Sequence, residues 1–95
     1  MMKPSTFLIN TSRGPIVEEA ALVEALRGKR IAGAGIDVFD TEPLPPDHPF
    51  RALPAAQITP HLGYVTHDNY RLSYGQTVED IRAWLDHRPL RIIGQ

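Results

Sequence analysis

The chain has 95 residues, a net charge of −1 and no cysteine, and these totals exclude several classes of protein. A chain of this length forms at most one domain and buries only about 60–65% of its unfolded surface. Its scattered, balanced charges argue against a nucleic-acid or membrane partner, and without cysteine there is no disulfide or thiolate-metal chemistry. No apolar run approaches the ~20 residues that span a bilayer. Residues 1–5 lack the hydrophobic core of a signal peptide, so a cytoplasmic location is expected.

The first third of the chain predicts a strand, a helix and a second strand. The apolar run 7–9, closed by Asn10, is typical of a short buried strand. A helix begins at the acidic pair 18–19 and ends at Gly28. Residues 31–38 are small and apolar on both faces, as in a central parallel strand covered by helices. This order predicts an α/β fold with a parallel sheet.

The stretch from Thr41 to Pro60 carries six prolines and predicts a stiff extended loop, because each proline fixes φ and removes a backbone donor. Three apolar side chains should anchor this loop to the body of the protein: Leu44, Phe50 and Leu53. Residues 57–59 predict a third, short strand.

A long amphipathic helix is predicted from an N-cap at Thr66 to about Asp86. One apolar stripe runs along it at helical spacing: Tyr70, Tyr74, Val78, Ile81 and Leu85. Pro89 ends the helix, and residues 90–93 resemble a brief terminal strand. The uncovered stripe and the unpaired sheet edge predict a homodimer or a larger assembly.

Each predicted strand is followed by a cluster of polar residues. The clusters are Asn10-Thr11-Ser12-Arg13-Gly14, Asp37-Val38-Phe39-Asp40-Thr41-Glu42-Pro43 and Thr59-Pro60-His61-Leu62-Gly63. In an open parallel sheet, the loops that leave the carboxyl ends of the strands converge on one edge, where ligands bind. Arg13, Glu42 and His61 should therefore share that edge. These groups are suited to handling a proton beside an anionic substrate.

Each of these side chains also has an ordinary structural interpretation. Arg13 can be a solvated loop residue, or it can grip a carboxylate through two parallel hydrogen bonds. An aspartate at a strand end usually caps a turn, and we assign that role to Asp40. Glu42 is held extended by the following proline, so its carboxylate points in a defined direction. His61 alone is more often structural, whereas a neighbouring carboxylate would suit it to general acid/base catalysis.

Other site types fit the sequence less well. The acids at 37–42 lack calcium-loop spacing and no histidine stands at ligand spacing from His61, so no metal site is predicted. The glycines of segment 33–35 lack the third glycine of a dinucleotide fingerprint, since Val38 occupies that place. They are expected instead to allow close helix packing. A Ser-His-Asp hydrolase is a further alternative, although Ser12 is not on a nucleophile elbow.

Taken together, the three clusters resemble the D-isomer-specific 2-hydroxyacid dehydrogenases, which include phosphoglycerate, glycerate, D-lactate and formate dehydrogenases. The resemblance runs from about Lys3 to Ile92. It implies that residues 1–64 are the C-terminal half of a Rossmann-like NAD-binding domain. Residues 65–95 would be a linking helix and tail that return to a substrate domain. Family members are several times longer, so the glycine-rich fingerprint and most of the substrate domain are expected upstream of Met1.

The resemblance also implies roles for individual residues. Arg13 would hold the carboxylate and carbonyl of a small 2-keto or D-2-hydroxy acid, His61 would donate or accept the proton, and Glu42 would orient and charge His61. The cofactor would be NAD, with NADP not excluded. Its nicotinamide end would contact a set of residues that overlaps these: Thr11, Ser12, Arg13, Asp37, His61 and Gly63. The alternative is a catalytically inactive binding or oligomerisation fragment that lacks the phosphate-binding half.

Overall fold

The computed structural model describes residues 2–94, and the chain divides into two compact units, Met1–Gly63 and Tyr64–Gln95. The first unit contains strand β1 (Phe7–Asn10), helix α1 (Glu19–Arg27), strand β2 (Gly33–Ile36) and strand β3 (Ala56–Ile58). Short 3-10 helices lie at Gly14–Ile16 and Pro49–Ala52. The second unit contains helix α2 (His67–Leu85). The predicted α/β fold is confirmed.

The strands form a parallel sheet in the order β1-β2-β3, with Asn10 beside Ile36 and Ile36 beside Ile58. Backbone hydrogen bonds continue past the strand ends. The Asp37 N–H donates to the Asn10 carbonyl at 2.9 Å, and the His61 N–H donates to the Asp37 carbonyl at 2.8 Å. The polar segments that follow the strands therefore start from one edge of the sheet.

The core of the first unit lies between α1, one face of the sheet and the proline-rich segment. Its buried side chains form a single cluster: Leu22, Val23, Leu26, Ile31, Ala34, Ile36, Phe39, Leu44 and Phe50. Phe50 is 1% exposed and Leu44 is buried, while Leu53 packs against the cluster, so the predicted anchors are confirmed. The segment is not extended throughout, because the 3-10 helix Pro49–Ala52 carries Phe50 into the core.

The opposite face of the sheet presents the side chains of Phe7 and Ile9, each 68% exposed. These two side chains lie against Gly33 and Gly35. A Cβ at Gly33 would come within 3.1 Å of the Phe7 ring, and one at Gly35 would come within 2.9 Å of Ile9 Cδ1. In the described structure these glycines thus accommodate side chains of the neighbouring strand, not the helix that the sequence suggested.

The second unit begins with the predicted cap, since Thr66 Oγ1 accepts the Asn69 N–H at 3.2 Å. The first two side chains of the predicted stripe contact each other, since the ring centroids of Tyr70 and Tyr74 lie 5.6 Å apart. The Tyr70 ring also lies 6.4 Å from that of Tyr64, which precedes the helix. Neither helix α1 nor α2, nor any other helical segment of residues 2–94, is long and apolar enough to cross a membrane.

The predicted strand over residues 90–93 is wrong, because this segment forms bends and turns. Arg91 has a φ of 52°, which an extended strand does not accommodate. Its guanidinium instead reaches back to α2, where it contacts Glu79 at 2.7 Å and Asp80 at 2.5 Å. These ion pairs attach the tail to the helix that precedes it.

Replacing Phe50 tests the placement of the core. Phe50→Ala should lower the free energy of unfolding by about 3–5 kcal/mol, because it empties a fully buried site. Phe7→Ala removes the same ring from a position that is 68% exposed and should cost much less. Denaturant unfolding followed by circular dichroism measures both variants, and equal losses would contradict this core.

Candidate functional site

His61 and Glu42 form a hydrogen-bonded pair at the carboxyl edge of the sheet. His61 Nδ1 lies 2.7 Å from Glu42 Oε2, and the two side chains are 34% and 36% exposed. Because a carboxylate oxygen only accepts, Nδ1 carries the proton in this contact. The other oxygen, Oε1, accepts the Phe39 N–H at 2.9 Å, so both ends of the carboxylate are fixed. This is the geometry of an acid/base histidine with an orienting carboxylate.

Glu42 is kept ionised by its surroundings. The hydrogen bond from His61, followed by that from the Phe39 N–H, holds the pKa of Glu42 below its ordinary value, and the charge of Arg13 adds to the effect. Arg13 itself is exposed, and its Nη1 donates to the Ser12 carbonyl at 2.6 Å. The structure thus brings Glu42 and His61 into contact and leaves Arg13 within electrostatic range of Glu42.

Asp37 organises the turn that carries His61. The side chain is buried, and its Oδ1 accepts the Thr59 hydroxyl at 2.5 Å and the Leu62 N–H at 2.8 Å. Its Oδ2 accepts the Gly63 N–H at 2.7 Å. Since the Asp37 carbonyl also accepts the His61 N–H, one residue binds segment 59–63 at four points.

Burial raises the pKa of Asp37, but the hydrogen bonds from Thr59, Leu62 and Gly63 outweigh it. The nearby His61 charge acts in the same direction as these bonds, so the pKa of Asp37 lies below its ordinary value of 3.8. The carboxylate is therefore ionised at neutral pH and acts as an anionic cap for the backbone amides of the turn.

His61 adopts a left-handed backbone conformation with φ of 56°. That conformation costs a non-glycine residue about 1–2 kcal/mol. The His61 N–H is held by the carbonyls of Asp37 at 2.8 Å and Thr59 at 3.1 Å, while Glu42 holds the ring. These contacts offset the strain and hold the imidazole in one orientation.

Several predicted cofactor-binding residues also meet at this edge. A Cβ at Gly63 would lie 3.0 Å from Asp37 Oδ2 and 3.5 Å from Thr11 Cβ, so the three residues are in close contact. Ser12 and Arg13 are held in the neighbouring loop by Asn10. The buried Asn10 side chain accepts the Ser12 N–H at 3.1 Å and donates to the Arg13 carbonyl at 2.9 Å. Whether these residues touch a cofactor stays a prediction.

Beside the Glu42–His61 pair opens a pocket of about 400 Å³, a volume typical of small-molecule sites. Its walls come from the proline-rich segment and the His61 turn: Phe39, Glu42, Pro43, Leu44, Arg51, Ile58, Thr59, Pro60 and His61. The Glu42–His61 pair thus lies on the wall of a largely apolar concavity. Within residues 2–94, no group of three or more His, Cys, Asp or Glu side chains is arranged to hold a metal ion.

Sequence reasoning missed some of the residues that hold the site. Asn10 and Thr59 have no individual role in the sequence-based prediction, although an asparagine after a strand is a recognised signal for a side-chain-capped turn. The turn-capping role assigned to Asp40 belongs to Asp37. The Asp40 side chain is exposed, and that residue contributes its backbone N–H to Glu19 at 2.8 Å. Both aspartates follow β2, but only Asp37 is buried and hydrogen-bonded to the turn at 59–63.

The first unit matches a known family. The sequence model described as D-isomer specific 2-hydroxyacid dehydrogenase, NAD binding domain, covers residues 1–63. Glyoxylate/hydroxypyruvate reductase B of Enterobacter agglomerans is 52% identical over 67 residues, which are 70% of this chain and 21% of that protein. The chain thus spans about a fifth of the length of this curated relative.

Solved structures show the same fold. The TT0316 protein from Thermus thermophilus has a TM-score of 0.85 and 49% identity, over 93% of this chain and 28% of that one. A D-isomer specific 2-hydroxyacid dehydrogenase from Xanthobacter autotrophicus, in complex with NADPH and MES, has a TM-score of 0.75 and 40% identity. That match covers 95% of this chain and 36% of the Xanthobacter chain.

Replacing Asp37 tests the anionic cap. Asp37→Asn should lower the free energy of unfolding at pH 7 by about 1–3 kcal/mol, because the part-buried amides of Leu62 and Gly63 lose a charged acceptor. The folded-state pKa of Asp37 lies below the ordinary value of 3.8, so its stabilisation is present above that pH. It is lost as the pH falls through the lower folded value.

Denaturant unfolding measured from pH 7 to pH 2 checks the direction of this pH dependence. The wild-type chain should lose stability more steeply than Asp37→Asn at the acidic end. Asp40→Asn, a change at an exposed aspartate three residues away, serves as the matched control and should leave stability nearly unchanged. Parallel acid profiles for the wild type and Asp37→Asn would contradict the proposed cap.

Proposed function

Because this chain belongs to the D-isomer specific 2-hydroxyacid dehydrogenases, an NAD(P)-dependent family, we propose that it carries the proton-handling residues of an enzyme that interconverts 2-keto acids and D-2-hydroxy acids. The chain supplies Arg13, Glu42 and His61 to that reaction. The contact of 2.7 Å between His61 Nδ1 and Glu42 Oε2, at the ligand-binding edge of the sheet, is the observation that carries the proposal.

His61 is the proposed acid and base. Reduction of a keto group needs a proton for the oxygen, and an imidazolium supplies one near neutral pH. Glu42 engages Nδ1 and stabilises the positive charge of the ring, so Nε2 is the nitrogen that exchanges the proton with substrate. In the oxidation direction, the same nitrogen accepts the proton of the 2-hydroxyl group.

Arg13 is the proposed substrate anchor. Its present partner is the Ser12 carbonyl, an exposed contact that a substrate carboxylate can replace with a stronger, two-pronged pair. The remaining guanidinium N–H groups can reach the keto oxygen and favour the negative charge that develops there. Holding the carboxylate and the carbonyl together fixes which face of the keto carbon is presented.

When NAD(P) is bound, its nicotinamide would supply or accept the hydride. On this chain, Thr11, Ser12, Asp37 and Gly63 are proposed to hold its carboxamide and ribose end. Asp37 Oδ2 accepts the Gly63 N–H, and a carboxylate oxygen has capacity for a second donor such as an amide N–H. Glycine at position 63 keeps this space open, since a Cβ there would crowd Oδ2 at 3.0 Å.

A chimera tests the proposal. This chain replaces the matched segment of the Enterobacter agglomerans glyoxylate/hydroxypyruvate reductase B, and NAD(P)H-dependent reduction of glyoxylate, hydroxypyruvate and other 2-keto acids is measured. His61→Ala should lower kcat by about 10²–10⁴-fold, the usual contribution of a general acid. Arg13→Ala should mainly raise KM for the keto acid.

The matched control is His67→Ala, because His67 is an exposed histidine whose side chain is 85% accessible. That variant should behave as the parent chimera does. Near-normal turnover of both His61→Ala and Arg13→Ala would contradict the assignment. The chain by itself, mixed with NADH and 2-keto acids, is expected to leave the NADH absorbance unchanged, and steady oxidation would show that it is a complete catalyst.

We also propose that the isolated chain self-associates as a homodimer or larger. Phe7 and Ile9 are exposed on one face of the sheet, and Tyr74, Trp84 and Leu85 on α2 are each more than 60% exposed. Patches of this kind on small proteins usually mark contact surfaces. This proposal is independent of the catalytic one, because none of these side chains belongs to the pair or its supports.

Light scattering on a dilute sample measures the self-association. A stable monomer of 10.6 kDa would contradict it. The double variant Phe7→Thr/Ile9→Thr should reduce the apparent mass if the sheet face is used, and Trp84→Ser/Leu85→Ser should do so if the helix is used. Ile93→Thr, at a position that is 99% exposed outside both surfaces, is the control and should have no effect.

A further inference from the structure

A second histidine–carboxylate pair lies within the first unit. His48 Nε2 is 3.1 Å from Glu19 Oε2, and both side chains are only 18% exposed. His48 Nδ1 accepts the Phe50 N–H at 3.3 Å, so the ring proton is on Nε2 and is donated to Glu19. This pair joins the start of α1 to the 3-10 helix of the proline-rich segment.

The other oxygen of Glu19 reaches the loop that carries Glu42. Glu19 Oε1 accepts the Asp40 N–H at 2.8 Å. The preceding N–H, that of Phe39, donates to Glu42 Oε1 at 2.9 Å. Two consecutive amides are therefore bound by two carboxylates, one from α1 and one from the pair with His61.

Gly14 contacts the same stretch of backbone. A Cβ at this position would lie 2.1 Å from the carbonyl carbon of Phe39 and 2.5 Å from the Asp40 nitrogen. No side chain fits there, so the backbone after Arg13 packs directly on the Phe39–Asp40 peptide. That peptide is thus clamped between Gly14 and the hydrogen bond to Glu19.

We propose that Glu19, held in place by His48, is a positioning residue for the Glu42–His61 pair. It fixes the Phe39–Asp40 peptide, and the Phe39 N–H in turn holds the Glu42 carboxylate against the imidazole. This role rests on the proposed function of Glu42 and His61. The simpler alternative is that Glu19 only places a negative charge at the N-terminus of α1, which exposed Glu18 would do equally well.

Nuclear magnetic resonance on the full chain distinguishes the positioning role of Glu19 from a purely electrostatic role at the N-terminus of α1. Glu19→Gln keeps the size of the side chain but offers one acceptor oxygen to two donors. The Glu42 carboxyl carbon and His61 ring nitrogen signals should shift, and the Asp40 amide should exchange with solvent about tenfold faster, as expected for the loss of one hydrogen bond. Glu18→Gln removes the same charge one residue earlier and should leave all three signals in place.

His48→Asn is the second variant. Asparagine can still accept the Phe50 N–H but is too short to reach Glu19, so smaller shifts in the same direction are expected. This variant decides the matter if Glu19→Gln does not fold. The proposal is overturned if the Glu42 and His61 signals of a folded variant match those of the wild type, or if Glu18→Gln moves them as far.

This experiment does not depend on turnover. Shifted signals together with normal activity of the His61→Ala chimera would reject the catalytic assignment and keep the positioning role. Unmoved signals together with a severe loss of activity in His61→Ala would reject the positioning role and keep the catalytic assignment.

Discussion

The edge of the sheet that carries the site depends on Asp37. Its backbone links the loops after β1 and β3, because it donates to the Asn10 carbonyl and accepts from the His61 N–H. Its buried carboxylate then accepts from Thr59, Leu62 and Gly63. Several charge-assisted hydrogen bonds are what a buried carboxylate requires to offset its desolvation. The same bonds hold the turn in which His61 adopts its left-handed conformation.

The supporting groups and the proposed reacting groups are separate side chains at this edge. Each loop is held by a polar residue that is buried or half-buried: Asn10 holds the Arg13 loop, Glu19 the Glu42 loop and Asp37 the His61 turn. Arg13, Glu42 and His61 remain partly or fully exposed. A side chain that must meet a substrate cannot also be fully satisfied by the protein, so its position has to be set through the backbone.

The local sequence pattern was sufficient to predict the strands, the α-helices and the convergence of the site loops on one edge. It was not sufficient to predict the residues that support the site. Apolar runs and the stripe on α2 located the three strands and both α-helices of the described residues, but neither 3-10 helix. They also predicted a false strand at 90–93, where Arg91 has a positive φ that no pattern signals. Parallel topology then placed Arg13, Glu42 and His61 at one edge. The Glu19–His48 contact joins residues 29 positions apart through tertiary packing, and periodicity carries no information about it. Turn chemistry indicated an aspartate cap but assigned it to Asp40, because the burial that gives this role to Asp37 is not visible in local sequence.

The acidic residues at the two helix N-termini bear on where the phosphates of a dinucleotide could bind. In dinucleotide-binding folds, a helix N-terminus takes the pyrophosphate, because its free N–H groups and dipole favour an anion. Here α1 has Glu18 and Glu19 at its start, and α2 has Asp68 in its first turn, so both termini carry acidic residues of the chain itself. A phosphate at either place would be repelled. Glu19 has a different use, since its carboxylate turns away to the Asp40 N–H and supports Glu42. The proposed roles of this chain therefore lie with the substrate and the nicotinamide end of the cofactor, and neither helix terminus is suited to the phosphates.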